Sequence, residues 1–511
     1  MTVINTTGGE NSPTDLYTMA PPFTPLFING GEVSSSTGET FEVRNPYTQE
    51  VVTISASASN EDCLAAVTAA GNAFKTWEHS SLDHRRDILT KTADLLETEK
   101  YKKMILESVG EETAAAPGMA LFNWASAGKF LRVTAGLTVL LRGETFPSDR
   151  AKATVIAQRR AMGVVFGIAP WNAPIALTLR AVAVPILCGN TVVFRSSELS
   201  PRSQFIVIQA FREAGLPAGV INFISTSREN APELTANIIA HPLVRKVNFT
   251  GSDRVGKIIA MECAKHLKPC ILELGGKAPA VVLDDADLTA ASKAIMMGAM
   301  LHSGQICMST ERVIVQRKAA DTLTEKMCEL ARSLKAGDTW SKSANANTVK
   351  LNPLFSEASA ENVINVLRDA KEAGAKILVG DLTRNGTVIQ PHVVRDVKPG
   401  MRLWDRESFG PVVIIAVVDT VDEAIELANA TEYSLTSSLW TSNIYEGQKI
   451  ASRIFAGYTN INGITIHSEP HLGLVGLGGA SGYGRFDIED FTHRRLIVCH
   501  EPGTVYPMFD Q

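Results

Sequence analysis

Aromatic residues make up only 6% of this 511-residue chain, and no two of its seven cysteines stand at CxxC spacing. Scarce aromatics leave no stacking platform for single-stranded nucleic acid. The cysteines, at 63, 188, 263, 270, 307, 328 and 499, are odd in number and lack clustered histidines. That argues against a disulfide scaffold and a structural zinc site, and for a reducing compartment. A net charge of −5 gives no electrostatic reason to expect nucleic acid or an anionic membrane. An unbroken apolar run of about 20 residues, the length of a membrane span, is missing too. The most apolar stretch, residues 163–194, is interrupted by Asn172, Arg180, Asn190 and three prolines. The first twenty residues have neither a basic nor an apolar segment of the secretory kind and read as a flexible polar tail. The C-terminal PMFDQ is no peroxisomal or retention signal, so a cytoplasmic location is expected.

What is present is an ordinary globular balance, 45% hydrophobic and 20% charged, at a length that calls for two or three domains. From about 61 to 110 the apolar residues Leu64, Val67, Ala70, Phe74 and Trp77 and their successors recur at helical spacing. Beyond 150 the texture changes. Short apolar runs (GVVFGIA, NTVVFR, INFIS, KVNFTG, PAVVLDD) alternate with helical stretches, and the alternation recurs after 310 in ERVIVQ, AKILVGD and PVVIIAVV. This predicts an α/β fold with two Rossmann-like parallel-sheet lobes. ATVIAQRRA at 153–161 and RRLIVCH at 494–500 alternate like strands outside those lobes.

Two stretches could hold a nucleotide. FTGSDRVGK follows a strand-like run and opens a helix, so its glycines could bring backbone N–H groups and a helix N-terminus to a phosphate. The Gly251–Gly256 spacing is not GxGxxG, however, and a tight turn plus a helix-packing glycine is the plainer reading of the stretch by itself. In NTVVFRSSELSP, Arg195 and Glu198 follow a strand, where a carboxylate can accept from ribose hydroxyls and repel a 2′-phosphate. A solvated salt bridge is the alternative there.

Three further stretches carry residue types suited to acyl chemistry at a thiol. SGQICMST holds Cys307, whose thiolate could attack an electrophilic carbon. APWNAP holds Asn172, an amide able to steady an oxyanion. LELGGKAP holds Glu273, a candidate base for the water that hydrolyses a thioester. Singly, each is commonplace. His302 lies five positions before Cys307 and is as readily a packing residue as a base.

Taken together, these stretches resemble the aldehyde dehydrogenase superfamily. PWN, FTGS, LELGGKAP, GQICMS and ESFGPVV occur in that family's order, within a likeness running from FINGGEV to SGYGRF. The resemblance implies Cys307 as nucleophile, Asn172 with the Cys307 backbone N–H as oxyanion hole, and Glu273 as deacylation base. It implies contacts to NAD, with NADP as the alternative, from Trp171, Arg195, Glu198, Gly251, Ser252, Gly256, Leu274, Glu407 and Phe409. The family usually has lysine where Arg195 stands, and a planar guanidinium is more tolerant of a 2′-phosphate. GIAPWNAPI, LRAVAVP, HLKPCILELGGKAP and GQICMSTERVIV are similar to the salicylaldehyde and vanillin dehydrogenases of the family, which implies an aromatic aldehyde. Small Ala173 and Ala176 would leave room for its ring, and Arg180, on the same helical side, would meet a polar ring substituent. An ion-paired surface arginine is the plainer reading of Arg180. CoA-acylating chemistry is a different outcome for the same thioester, one that has no need of Glu273, and an aliphatic substrate is a further alternative. The resemblance divides the chain into a cofactor domain (1–149 and 163–272), a catalytic domain (273–486) and an oligomerisation arm (150–162 and 487–511), and implies a homodimer or homotetramer. Residues 474–480, LVGLGGA, depart from the family's usual turn, which bears on the substrate entrance.

Overall fold

The β-branched runs of the sequence form the middle of two parallel sheets. The computed structural model describes residues 20–341, 349–469, 473, 476–503, 505, 506 and 508. Among these, the first sheet has eight strands, in the order Gly482–Tyr483, Cys270–Glu273, Val244–Thr250, Val164–Ile168, Thr191–Arg195, Ile221–Ile224, Leu26–Ile28 and Gly31–Val33. The strands from Cys270–Glu273 through Ile221–Ile224 are parallel. Every residue of Val164–Ile168 and Ile221–Ile224 is buried, as happens when helices cover both faces of a sheet. The second sheet has seven strands, in the order Lys376–Val379, His392–Arg395, Val412–Val418, Thr310–Gln316, Ala278–Val282, Thr436–Trp440 and Tyr458–Ile461. It is parallel except at its Lys376–Val379 edge.

The helical stretch expected over 61–110 resolves into Asn60–Trp77, Leu82–Leu96 and Glu99–Thr113. Each starts at a hydroxyl N-cap, from Ser59, Ser81 and Thr98. A fourth helix, Pro117–Gly136, has no counterpart in the sequence reading, because its buried face is largely Ala, Gly, Asn and Thr rather than an apolar stripe.

The two outlying alternating segments meet. Ala153–Ala161 pairs antiparallel with Thr492–His500, and Glu144–Pro147 adds a third strand. Leu496, Ile497, Val498 and Phe146 stay exposed on this small sheet. Gly482–Tyr483, within the stretch read as part of the second lobe, instead returns to the first sheet, with Gly482 opposite Glu273. A two-residue strand has no periodicity to read. Residues 1–19, the expected polar tail, lie outside the described residues, as do 509–511. Among the described residues no helix is long and apolar enough to cross a membrane, and no group of three or more His, Cys, Asp and Glu is placed to hold a metal.

The first sheet positions the site. Val164–Ile168 lies between Val244–Thr250 on one side and Thr191–Arg195 on the other, so the chain order reverses across it. Registers Ile168↔Phe249, Ile168↔Arg195 and Thr250↔Glu273 bring the carboxyl ends of four strands level. Ligands of open α/β sheets bind at such a switch point.

Candidate active site

The loop bearing Cys307 is shaped by three left-handed residues in succession, His302 (φ 52°), Ser303 (φ 56°) and Gly304 (φ 76°). Left-handed non-glycine residues persist only where their surroundings hold them. Here Ser303 Oγ donates to Asn352 O at 2.5 Å, and Gln305 Nε2 donates to His302 O at 3.1 Å and Pro353 O at 3.3 Å. A β-carbon on Gly304 would stand 2.0 Å from Gly410 O, so glycine is required there. The loop releases Cys307 half-buried, just before strand Thr310–Gln316. Burial pushes the Cys307 thiol pKa well above its ordinary value, the nearby Glu273 carboxylate raises it further, and Arg180 partly offsets both. His302 is no base for this thiol. It is buried with Nδ1 against Asn352 Oδ1 at 3.2 Å, and burial lowers its pKa to about 4.

Glu273 ends strand Cys270–Glu273 and is fully buried. Arg180 Nη2 donates to Glu273 Oε2 at 2.5 Å and to Thr250 Oγ1 at 2.8 Å, while Glu273 Oε1 is buried without a hydrogen-bond partner. The guanidinium also lies 4.6 Å above the Phe486 ring. Arg180, read from the sequence as meeting a ring substituent or else as ion-paired, is engaged with Glu273, whose buried carboxylate it balances. The two glycines after Glu273 allow close approach. A β-carbon on Gly276 would come 2.0 Å from Cys307 O, and one on Gly275 2.7 Å from Glu407 Oε2.

Asn172 leaves the carboxyl end of Val164–Ile168 and precedes helix Pro174–Leu187, which starts with proline at its first position. Asn172 Nδ2 donates to Gln305 O at 3.0 Å, which ties the amide to the Cys307 loop and leaves its second N–H free. Every residue of helix Pro174–Leu187 is buried except Ala176, Leu177 and Arg180. With half-buried Ala173 they form one stripe of small, apolar and cationic character. A separate cavity of about 550 Å³, lined in part by Met119, Met297, Leu301 and His302, lies behind the loop and includes neither Cys307 nor Glu273.

The cofactor candidates surround the same strand ends. Gly251 N donates to Glu273 O at 3.1 Å, and Ser252 caps helix Asp253–Lys265 by accepting from Val255 N at 3.4 Å. A β-carbon on Gly256 would strike the Leu274 side chain at 2.5 Å, so this glycine lets the helix pack close to the strand. Arg195 Nε donates to Thr226 Oγ1 at 3.0 Å, and its Nη2 stands 4.0 Å from Glu198 Oε2. Glu407 Oε1 accepts from Gly276 N at 3.0 Å, and burial, with the charge of Glu311, pushes its pKa up to about 8. Phe409 (φ 50°) meets buried Trp171 edge-on at 6.2 Å. The start of helix Asp253–Lys265 and the polar groups at neighbouring strand ends fit a dinucleotide.

Sequence reasoning missed Thr250, Gln305, Phe486 and the buried Lys277–Glu311 ion pair beneath Glu407. Thr250 and Phe486 stand in the quoted motifs FTGS and SGYGRF, but nothing local gave either a role. Of the atypical 474–480 segment, residues 474 and 475 lie outside the described residues. The remainder is anchored by Leu477 N donating to Ser434 Oγ at 2.9 Å, and the adjoining Ser481 Oγ donates to Gly275 O at 2.7 Å.

The model of the aldehyde dehydrogenase family matches residues 33–497. A vanillin dehydrogenase of Pseudomonas sp. strain HR199 is 41% identical over 488 residues, which are 95% of this chain and 99% of the relative. The crystal structure of a salicylaldehyde dehydrogenase from Pseudomonas putida G7 complexed with salicylaldehyde superposes with a TM-score of 0.91 at 38% identity, covering 95% of this chain and all of that one. An NADP-dependent glyceraldehyde-3-phosphate dehydrogenase from Bacillus halodurans C-125, complexed with NADP, superposes with a TM-score of 0.86 at 31% identity, covering 93% of this chain and 99% of that one. The chain belongs to the aldehyde dehydrogenase family and is an NAD(P)-dependent oxidoreductase.

Proposed function

We propose that the protein oxidises an aromatic aldehyde to its carboxylic acid through an acyl-enzyme on Cys307. The observation that carries this is the meeting of Cys307, Glu273 and Asn172 at the carboxyl ends of the first sheet. The Cys307 thiol gives its proton to solvent water and attacks the aldehyde carbon as the thiolate, giving a thiohemiacetal whose oxygen carries the charge. The free Asn172 N–H and the Cys307 backbone N–H hold the oxygen on which charge develops. NAD(P), when bound, supplies a hydride acceptor, held by Gly251, Ser252 and Gly256 at the helix start, Arg195 and Glu198 at the strand end, and Trp171, Leu274, Glu407 and Phe409 nearer the site. Loss of hydride leaves a thioester on Cys307. Glu273 Oε1 then takes a proton from water, the resulting hydroxide attacks the thioester carbon, and the acid leaves as the thiol reforms.

The stripe of half-buried Ala173 and Ala176 supports an aromatic ring, since neither carries a side chain beyond its β-carbon. The vanillin and salicylaldehyde relatives point the same way. The cofactor domain is assigned to 1–149 and 163–272, and the catalytic domain to 273–486. The arm formed by 150–162 and 487–511 leaves apolar residues exposed, which supports a homodimer or homotetramer. A cytoplasmic protein agrees with the unpaired cysteines.

The test is NADH or NADPH formation with benzaldehyde, hydroxybenzaldehydes and straight-chain aldehydes, with and without CoA. Preferential turnover of the aromatic set without CoA is expected. Dependence on CoA, or preference for the straight chains, would overturn the assignment.

A further inference from the structure

Arg180 is 12% exposed, and its guanidinium is fixed on three sides by Glu273, Thr250 and the Phe486 ring. Its Nε is buried without a partner, so the cost of burying this cation is met chiefly at Glu273. Glu273, for its part, is fully buried, and Arg180 forms its one ion pair among the described residues. Removing one partner of such a pair leaves an uncompensated buried charge. The other titratable groups around Glu273 are Cys307 on its loop and Glu407 from the segment before Val412–Val418. Beyond Glu407, Lys277 is already paired with Glu311. None of these supplies a free positive charge.

The pairing is also specific at the atomic level. Arg180 occupies Oε2 and leaves Oε1 as the unpartnered oxygen. Proton transfer from water needs a carboxylate that is charged, held still and open at one atom. We propose that Arg180 is a positioning residue that holds Glu273 by Oε2 and leaves Oε1 free to act as the base, whatever substituents the aldehyde ring carries. The inference rests on Glu273 being the deacylation base. It replaces the role of ring-substituent recognition with one common to all substrates.

The test compares Arg180→Met, Arg180→Lys and Glu273→Gln with the unaltered enzyme, using benzaldehyde and a hydroxybenzaldehyde. In Arg180→Met the first turnover should still release about one NADH per site, because acylation does not need the base. The steady rate should fall by at least about 10-fold, and by no more than general bases contribute, about 10²–10⁴. The fall should be equal for both aldehydes and lie in kcat, with KM little changed. Hydroxylamine, which attacks thioesters without a base, should restore turnover and yield the hydroxamate. Arg180→Lys should recover part of the rate, and carries the test if the methionine variant does not fold. Loss confined to the hydroxybenzaldehyde, with raised KM, would overturn the inference. So would loss of the first turnover itself in a folded variant. Normal turnover by Glu273→Gln would instead sink the proposed base, and is thereby told apart from a failure of Arg180.

Discussion

Gly276 lies so close to Cys307 that a β-carbon on it would sit 2.0 Å from the cysteine's carbonyl oxygen. The backbone after Glu273 is therefore a wall against which the nucleophile loop rests. Gly276→Ala must push that loop aside, and misplacement of about 1 Å can cost about 10²-fold in rate. The variant should bind NAD(P) with little change while kcat falls by about that factor. Cofactor titration by fluorescence alongside steady-state kinetics would check it; an unchanged kcat would mean the loop yields freely.

Asn172 reaches the same loop from beyond strand Val164–Ile168, through Nδ2 to Gln305 O at 3.0 Å. Asn172→Ala removes both that tie and the free N–H. The expected fall in kcat is about 10²–10³-fold, the usual effect of losing one oxyanion donor. Asn172→Asp keeps the shape but cannot donate, and should be as slow. A fast aspartate variant would show that shape alone matters.

His302 predicts how the fold responds to acid. Burial holds its pKa near 4, below the ordinary value of 6.5. The unfolded chain therefore takes up a proton first as pH falls, so stability present above about 6.5 is lost progressively down to about 4. The loss amounts to about 3 kcal/mol at 1.36 kcal/mol per pH unit. Urea unfolding of His302→Gln across that window should show a shallower pH slope than the unaltered protein.

Cofactor choice should turn on Glu198, whose carboxylate stands 4.0 Å from Arg195 at the end of strand Thr191–Arg195. With the carboxylate present, a 2′-phosphate meets like charge. Glu198→Gln should lower KM for NADP by about 10-fold, or about 1.4 kcal/mol, and leave KM for NAD within about 3-fold. The two titrations on one protein preparation decide it.

Much of the site could be read in advance because its residues sit in short motifs with a fixed order. Cys307, Glu273 and Asn172 each follow or precede a strand whose apolar run is itself readable, and the structure brings all three to one end of the first sheet. The Arg180–Glu273 pair was not readable. Its members are separated by 93 residues, and the contact depends on how a helix side lines up with the end of a strand two places away in the sheet. Nothing in LRAVAVP or LELGGKAP states that alignment. The left-handed turn at His302 and Ser303 was hidden for another reason, since the groups that hold it include Asn352 and Pro353, about 50 residues away in the chain. Helix Pro117–Gly136 escaped because small and polar residues fill its buried face.

The most direct measurement is the mass of Cys307 in Glu273→Gln after incubation with an aromatic aldehyde and NAD(P). With the base removed, the acyl-enzyme should accumulate. Peptide mass spectrometry should then find one acyl group, of the mass of the aldehyde less one hydrogen, in place of the thiol hydrogen of Cys307, with NADH or NADPH formed in equal amount. Reduced cofactor without a Cys307 adduct, or an adduct on another cysteine, would contradict the account.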